Sequence, residues 1–226
     1  MTNRRTFLQS TGLTVGIATV GSKLIADENI ANDPLVRSDE YELPKLKTGA
    51  RLLFQGDSIT DMKWGRNQAD RNHYLGHSYV FLIAARLGVD MPSAGLEFFN
   101  RGKSGNTVGD LRKRWQADSI EIKPDVLSVL IGVNDVGRAI RASRDHVNLK
   151  DWENDYRAIL ESSRNANPTL QIVLLDPFVL PSKRFTKDEY RKWRGETDKL
   201  GAIVSRLAKD YQAIHVRTQQ VFDDAT

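Results

Sequence analysis

The sequence predicts an α/β domain built on a parallel sheet with helices on both faces. Three observations lead there. From Ala50 onward, short apolar runs alternate with stretches whose apolar residues recur at helical spacing. Such strand–helix alternation is the signature of a parallel sheet covered on both sides. The first four apolar runs each end in a cluster drawn from Gly, Asp, Asn, Ser and Pro, as strands do where they feed loops. The chain has 226 residues, 40% of them apolar, which suits one ordinary domain with a real core.

The elements follow in order. Residues 51–55 (RLLFQ) read as a short buried strand, and residues 78–88 (SYVFLIAARLG) as a helix with Gly88 at its end. Residues 96–100 (LEFFN) form the second strand. Residues 107–120 (TVGDLRKRWQADSI) form a helix opened by Thr107, with Asp110 in its first turn. Residues 126–132 (VLSVLIG) are the most apolar strand, expected at the centre of the sheet. Residues 148–168 read as an amphipathic helix ended by Asn and Pro168, and residues 171–177 (QIVLLDP) as the fourth strand. Residues 186–212 are a long helical stretch, expected to break around Gly195 or Gly201. Residues 213–218 (AIHVRT) are the fifth strand, and residues 219–226 (QQVFDDAT) begin a further element.

The first thirty residues differ from the rest. NRRTFLQ, residues 3–9, leads into the mildly apolar STGLTVGIATVGSKLIA, with Ala26 and Ala31 as small-residue cleavage points. Paired arginines ahead of a short apolar stretch are the pattern of a twin-arginine export signal, assigned to residues 1–31. The stretch is too short, and too rich in Gly and Thr, for a stable membrane span. Residues 32–49 then read as a polar linker, and the domain occupies residues 50–226. Residues 1–26 carry three of the four net positive charges, so the rest is nearly neutral and the basic pI gives no case for a nucleic-acid partner. There is no cysteine, which excludes disulfides, thiolate catalysis and Cys-ligated zinc.

In a parallel sheet, ligands bind beyond the carboxyl ends of the strands. Those ends carry Gly56-Asp57-Ser58, then NRGKSGNT (residues 100–107), GVND (residues 132–135) and DPFV (residues 176–179). The first three supply a hydroxyl, glycine-loosened backbone and a side-chain amide. Backbone N–H groups and an Asn amide suit a developing oxyanion, so the residues suggest acyl transfer at Ser58. Each block alone has a plainer reading. Ser58 could cap a helix, the glycines could only turn the chain, and Asn134-Asp135 could form a local turn. A phosphate cradle finds no support, because GDSIT matches neither phosphate-loop pattern.

Together, FQGDSIT, NRGKSGNT and IGVNDV resemble the first three sequence blocks of the SGNH hydrolases, the GDSL-type esterases and lipases. The resemblance runs from about Arg51 to Phe222. It implies a flavodoxin-like three-layer α/β/α sandwich with a five-stranded parallel sheet. It implies Ser58 as nucleophile, with its own N–H, the N–H of Gly105 and the side chain of Asn134 forming the oxyanion hole. Asn100 and Gly102 become turn-shaping neighbours. No metal or organic cofactor is implied. The substrate is an ester, small or polysaccharide, with acetylated carbohydrate favoured. A lysophospholipase or short-chain lipase is the alternative within the family, and a non-catalytic carbohydrate- or lipid-binding module the alternative outside catalysis.

The family's fourth block, Asp-x-x-His, supplies the base and its orienting acid. No such block follows the fifth strand here, so activity is expected to be impaired. A chain incomplete at its C-terminus is favoured over a member that has lost catalysis. DRNH, Asp70 to His73, spells the pattern in the wrong part of the chain, where His73 and His77 become candidate substrate contacts. His146 is expected to be solvated and His215 structural. Asp57, beside Ser58, is expected to hold the turn by hydrogen bonds and is a third candidate substrate contact, and Trp64, Tyr74 and Trp193 are candidates for stacking on sugar rings.

Overall fold

A computed structural model describes residues 44–142 and 146–225, all within the second of the two units, residues 1–37 and 38–226, into which the chain divides. The export signal assigned to residues 1–31 and most of the linker lie outside the described residues. Five parallel strands form one sheet: β1 (Arg51–Gly56), β2 (Glu97–Asn100), β3 (Val126–Leu130), β4 (Gln171–Leu175) and β5 (Ile214–Val216). Their order is β2-β1-β3-β4-β5, the flavodoxin-like arrangement. β3 is central and buried at every position, as its apolar sequence requires. Register pairs Phe54 with Asn100 on one side and Ser128 on the other, so the carboxyl ends of β1, β2 and β3 share one edge.

Alternation along the strands divides the core. Leu53, Leu127 and Val129 face one side, where α3 (Val108–Trp115), α5 (Leu149–Ala166) and α6 (Lys187–Asp210) bury Leu111, Trp115, Tyr156, Leu160, Leu200 and Leu207. Leu52, Phe54, Phe98 and Val126 face the other side, against Val80 and Ala84 of α2 (Tyr79–Asp90). These two layers and the sheet make the α/β/α sandwich. The tail of the expected linker is docked: Lys45 exchanges two backbone-to-side-chain hydrogen bonds with Gln171, at 2.7 and 2.8 Å, and Lys47 pairs with Asp125.

Helix starts follow their capping residues. Ser78 caps α2, while Thr107 and Asp110 form a reciprocal capping box on α3. Thr186 and Glu189 do the same for α6. Four details depart from the sequence reading. Helix α2 continues two residues past Gly88. Helix α6 is unbroken over 24 residues: half-buried Trp193 packs on the core before Gly195, the buried stripe runs from Glu196 to Ala208, and Gly201 faces the Asp176 carboxylate. Two helices arise that the element order did not include: α1 (Ser58–Asp61), which Ser58 begins and does not cap, and α4 (Val133–Arg141). The segment after the fifth strand is α7 (Thr218–Asp224).

Leu127 is fully buried at the middle of the central strand. Leu127→Ala is expected to lower stability by about 3 kcal/mol, the usual cost of emptying such a site, read as a reduced urea midpoint.

Candidate active site

Ser58 is the first residue of α1, immediately beyond β1, and is exposed. It does not cap its helix. Asp57 does: its Oδ1 accepts from the Ile59 N–H at 2.9 Å, and the residue is 1% exposed. The Ser58 hydroxyl is thereby left free of the capping task. Among the described residues neither that hydroxyl nor the Ser58 N–H has a hydrogen-bond partner, as fits an orphan donor at a helix start.

The loop after β2 approaches α1 from one side. A side chain at Gly102 would run into the backbone of Thr60 and Asp61, so only glycine permits that contact. Asn100 is fully buried and holds the crossing together. Its Oδ1 accepts from Gly102 N at 2.9 Å, and its Nδ2 donates to Thr60 O and Leu75 O, both at 2.8 Å. Lys103 N donates to Gly56 O at 3.0 Å. Asp61 adds a second fastening: its Oδ2 accepts from Ser104 N, Ser104 Oγ and Arg66 Nη2 at 2.7–2.8 Å. Burial pushes this carboxyl up, but the bonds from Arg66 and Ser104 outweigh it and hold it below the usual carboxylate range.

Gly105 turns this loop in the left-handed region, at φ +80°, and no protein atom lies within 4 Å of where a side chain would begin. Its N–H has no partner among the described residues. The loop after β3 meets it there. Asn134 Nδ2 donates to Asn106 O at 3.1 Å, which engages one amide hydrogen and leaves the other available. Arg138 Nη2 donates to Gly105 O at 2.8 Å. Asp135 accepts weakly from Val108 N, at 3.3 and 3.4 Å, tying the same loop to the start of α3. Burial pushes Asp135 up to about 7, against the lowering effect of the Val108 N–H. The loops are thus bonded in series at one edge: the Ser58 segment to the loop of Gly105, and that loop to the segment of Asn134.

The histidines stand elsewhere. His73 and Asp70 do pair, Nδ1 to Oδ2 at 3.1 Å, on the exposed face of their loop. The His77 backbone donates to Met62 O, so the loop folds back against the end of α1. His146 is exposed but not simply solvated, because Nδ1 bonds the buried Glu196 at 2.9 Å. His215 pairs with Asp176, Nε2 to Oδ1 at 2.7 Å, under α6 beside Gly201, in a cavity of about 290 Å³. Three strand spacings, roughly 14 Å, separate β5 from β1, too far for direct proton transfer between His215 and Ser58. Trp64 is already engaged in stacking: the guanidiniums of Arg66 and Arg101 lie over its ring, 4.8 and 4.9 Å from its centre. Tyr74 packs on the core, and Trp193 packs against Phe185 and Gly137.

The model of the GDSL-like lipase/acylhydrolase family matches residues 54–226. The chain belongs to that family. It is an SGNH-type carboxylic ester hydrolase, and its relatives are consistent with this. An acetylxylan esterase from Geobacillus stearothermophilus is 34% identical over 185 residues, covering 80% of this chain and 81% of the relative. A candidate GDSL-like lipase from Parabacteroides merdae is 36% identical, with TM-score 0.74 over 80% of this chain and 83% of that one. The solved Geobacillus esterase itself gives 32% identity and TM-score 0.69, over 80% and 82%. Its variants described as catalytic mutants lie at a serine, an aspartate and a histidine, the last two three positions apart.

Asp61, Asn106 and Arg114 went unnoticed in the sequence. Their partners lie mostly in other segments, up to 58 residues away; Asp61 and Arg114 fall in no short motif, and Asn106 lies in the second block with nothing to mark its role.

Asp57 yields a pH prediction. Burial pushes its carboxyl up to about 6 in this SGNH esterase, the Ile59 N–H offsetting only part of the rise. Between about pH 4 and 6 the unfolded chain ionises this group while the folded protein keeps it protonated, so its contribution to stability falls as pH rises through that window and is constant above it. Asp57→Asn keeps a capping oxygen and is expected to flatten that slope in urea unfolding measured from pH 4 to 7.

Proposed function

We propose that this esterase removes acyl groups, acetyl above all, from carbohydrate, with Ser58 as nucleophile. The observation that supports the reading is the non-capping Ser58 hydroxyl at the same sheet edge as the Gly105 loop, with its orphan N–H, and the half-used amide of Asn134 bonded to that loop. Ser58 Oγ attacks the ester carbonyl carbon, and the carbonyl oxygen becomes an oxyanion. The N–H groups of Ser58 and Gly105 and the amide of Asn134 donate to it. Collapse expels the alcohol and leaves an acyl-enzyme, which water then hydrolyses to free acid and serine. The attacking hydroxyl needs a proton acceptor, and none of the histidines among the described residues bonds to it. Carbohydrate is favoured because the Geobacillus relative is an acetylxylan esterase.

The test uses the full-length protein and acetylated xylo-oligosaccharide. Ser58→Ala is expected to abolish acetate release and labelling by a fluorophosphonate probe. Asn134→Ala is expected to lower kcat about 100-fold while KM changes little, as for a donor engaged only in the transition state. An unchanged kcat removes Asn134 from the oxyanion site, and labelling that survives Ser58→Ala removes Ser58.

Export is also part of this reading, supported by Arg4-Arg5 ahead of the short apolar stretch. Replacing both arginines by lysine is expected to hold the protein in the cytoplasm, scored by cell fractionation. Unchanged export would dismiss the twin-arginine route.

A further inference from the structure

The geometry points to Arg114 as a positioning residue that sets the Asn134 amide through Asn106. Its side chain is 14% exposed, deep for a guanidinium, and it reaches three separate parts of the site. Nε donates to Asn106 Oδ1 at 2.8 Å, and Nη1 pairs with Asp118 Oδ2 at 2.8 Å. Nη2 lies 3.5 Å from Gly56 O, two residues before Ser58. Asn106 is the hinge of the arrangement. Its side chain accepts from Arg114, while its backbone oxygen accepts from Asn134 Nδ2. A planar fork with donors in fixed directions can hold such a three-way junction, and a flexible ammonium cannot.

The end of α3 is shaped to seat this guanidinium. Residues Gln116–Ile120 form a π-helical turn, closed by Glu121 N donating to Gln116 O at 3.0 Å. That turn brings Asp118 under Arg114 and directs Asp118 O and Ser119 Oγ to Gln55 Nε2, both at 2.7 Å. Gln55 is buried in β1 directly before Gly56. One helix end therefore grips the strand leading to the nucleophile and, through Arg114, the loop that bears the oxyanion donors. With the guanidinium gone, Asn106 loses the bond that fixes its side chain. Its peptide can then tilt, and the Asn134 amide loses its direction toward the developing oxyanion. The polar partners of Arg114 are Asn106, Asp118 and Gly56, none of them a group assigned to the oxyanion or the nucleophile.

The inference rests on Asn134 donating to the oxyanion, and a double-mutant cycle on acetyl ester hydrolysis by the full-length protein separates the two. Arg114→Lys retains a cation for Asp118 but not the fork. It is expected to lower kcat about 10-fold with KM within about twofold, and less than about twofold further in an Asn134→Ala background. Asn106→Ala leaves the Arg114–Asp118 pair in place and is expected to reproduce the same pattern, which secures the test should Arg114→Lys fold poorly. Equal losses in both backgrounds, or no loss in the wild type, overturn the relay while leaving Asn134 in place. A kcat untouched by Asn134→Ala instead overturns the oxyanion assignment, and the relay with it.

Discussion

Everything at the site depends on β1 lying between β2 and β3 with all three strands parallel. Parallel pairing sends the three strands out at the same edge, and strand spacing of about 4.8 Å keeps their loops within hydrogen-bonding reach of one another. Antiparallel pairing would have sent one of those loops to the opposite edge. The buried apolar residues of β1 and β3, above all Leu53, Leu127 and Val129, keep the strands in register. The core therefore fixes the chemistry indirectly, by deciding which loops are neighbours.

Neighbouring loops still have to be locked, and the protein does this with buried and half-buried polar groups. Asn100, Asp61, Asn106 and Asp135 each join segments distant in sequence. Such groups are costly to bury and so are tolerated only where their hydrogen bonds are largely met. In return they are directional, which apolar packing is not. A hydrophobic junction could hold the loops together, but it could not dictate where an amide hydrogen points.

Two acids illustrate how helix starts serve this purpose. Asp57 accepts from the first turn of α1, and Asp135 from Val108 at the start of α3. Each satisfies an otherwise orphaned N–H, and burial raises both carboxyls, to about 6 and about 7. By taking the capping role, Asp57 releases the adjacent hydroxyl. In this family member the GDS triplet thus divides one task between two residues: the acid holds the turn, and the serine is left exposed.

Much of this was written locally in the chain. Period-two and period-3.6 patterns gave the five strands, the central place of β3 and the caps of α2, α3 and α6, because burial on one face imposes those periods on a sequence. The blocks around Ser58, Gly105 and Asn134 were legible because glycine, hydroxyl and amide at strand ends are few and closely spaced. Other features belonged to the tertiary structure alone. Gly195 and Gly201 looked like helix breakers, yet packing on the core carries α6 through both. Trp64 looked available to sugar, yet two arginines from different loops lie over its ring. The fastening of one loop to the next through Asp61, Arg114 and Asn106 joins residues that only the folded sheet makes adjacent. Periodicity records what each segment buries; it carries no record of which distant side chain will meet it.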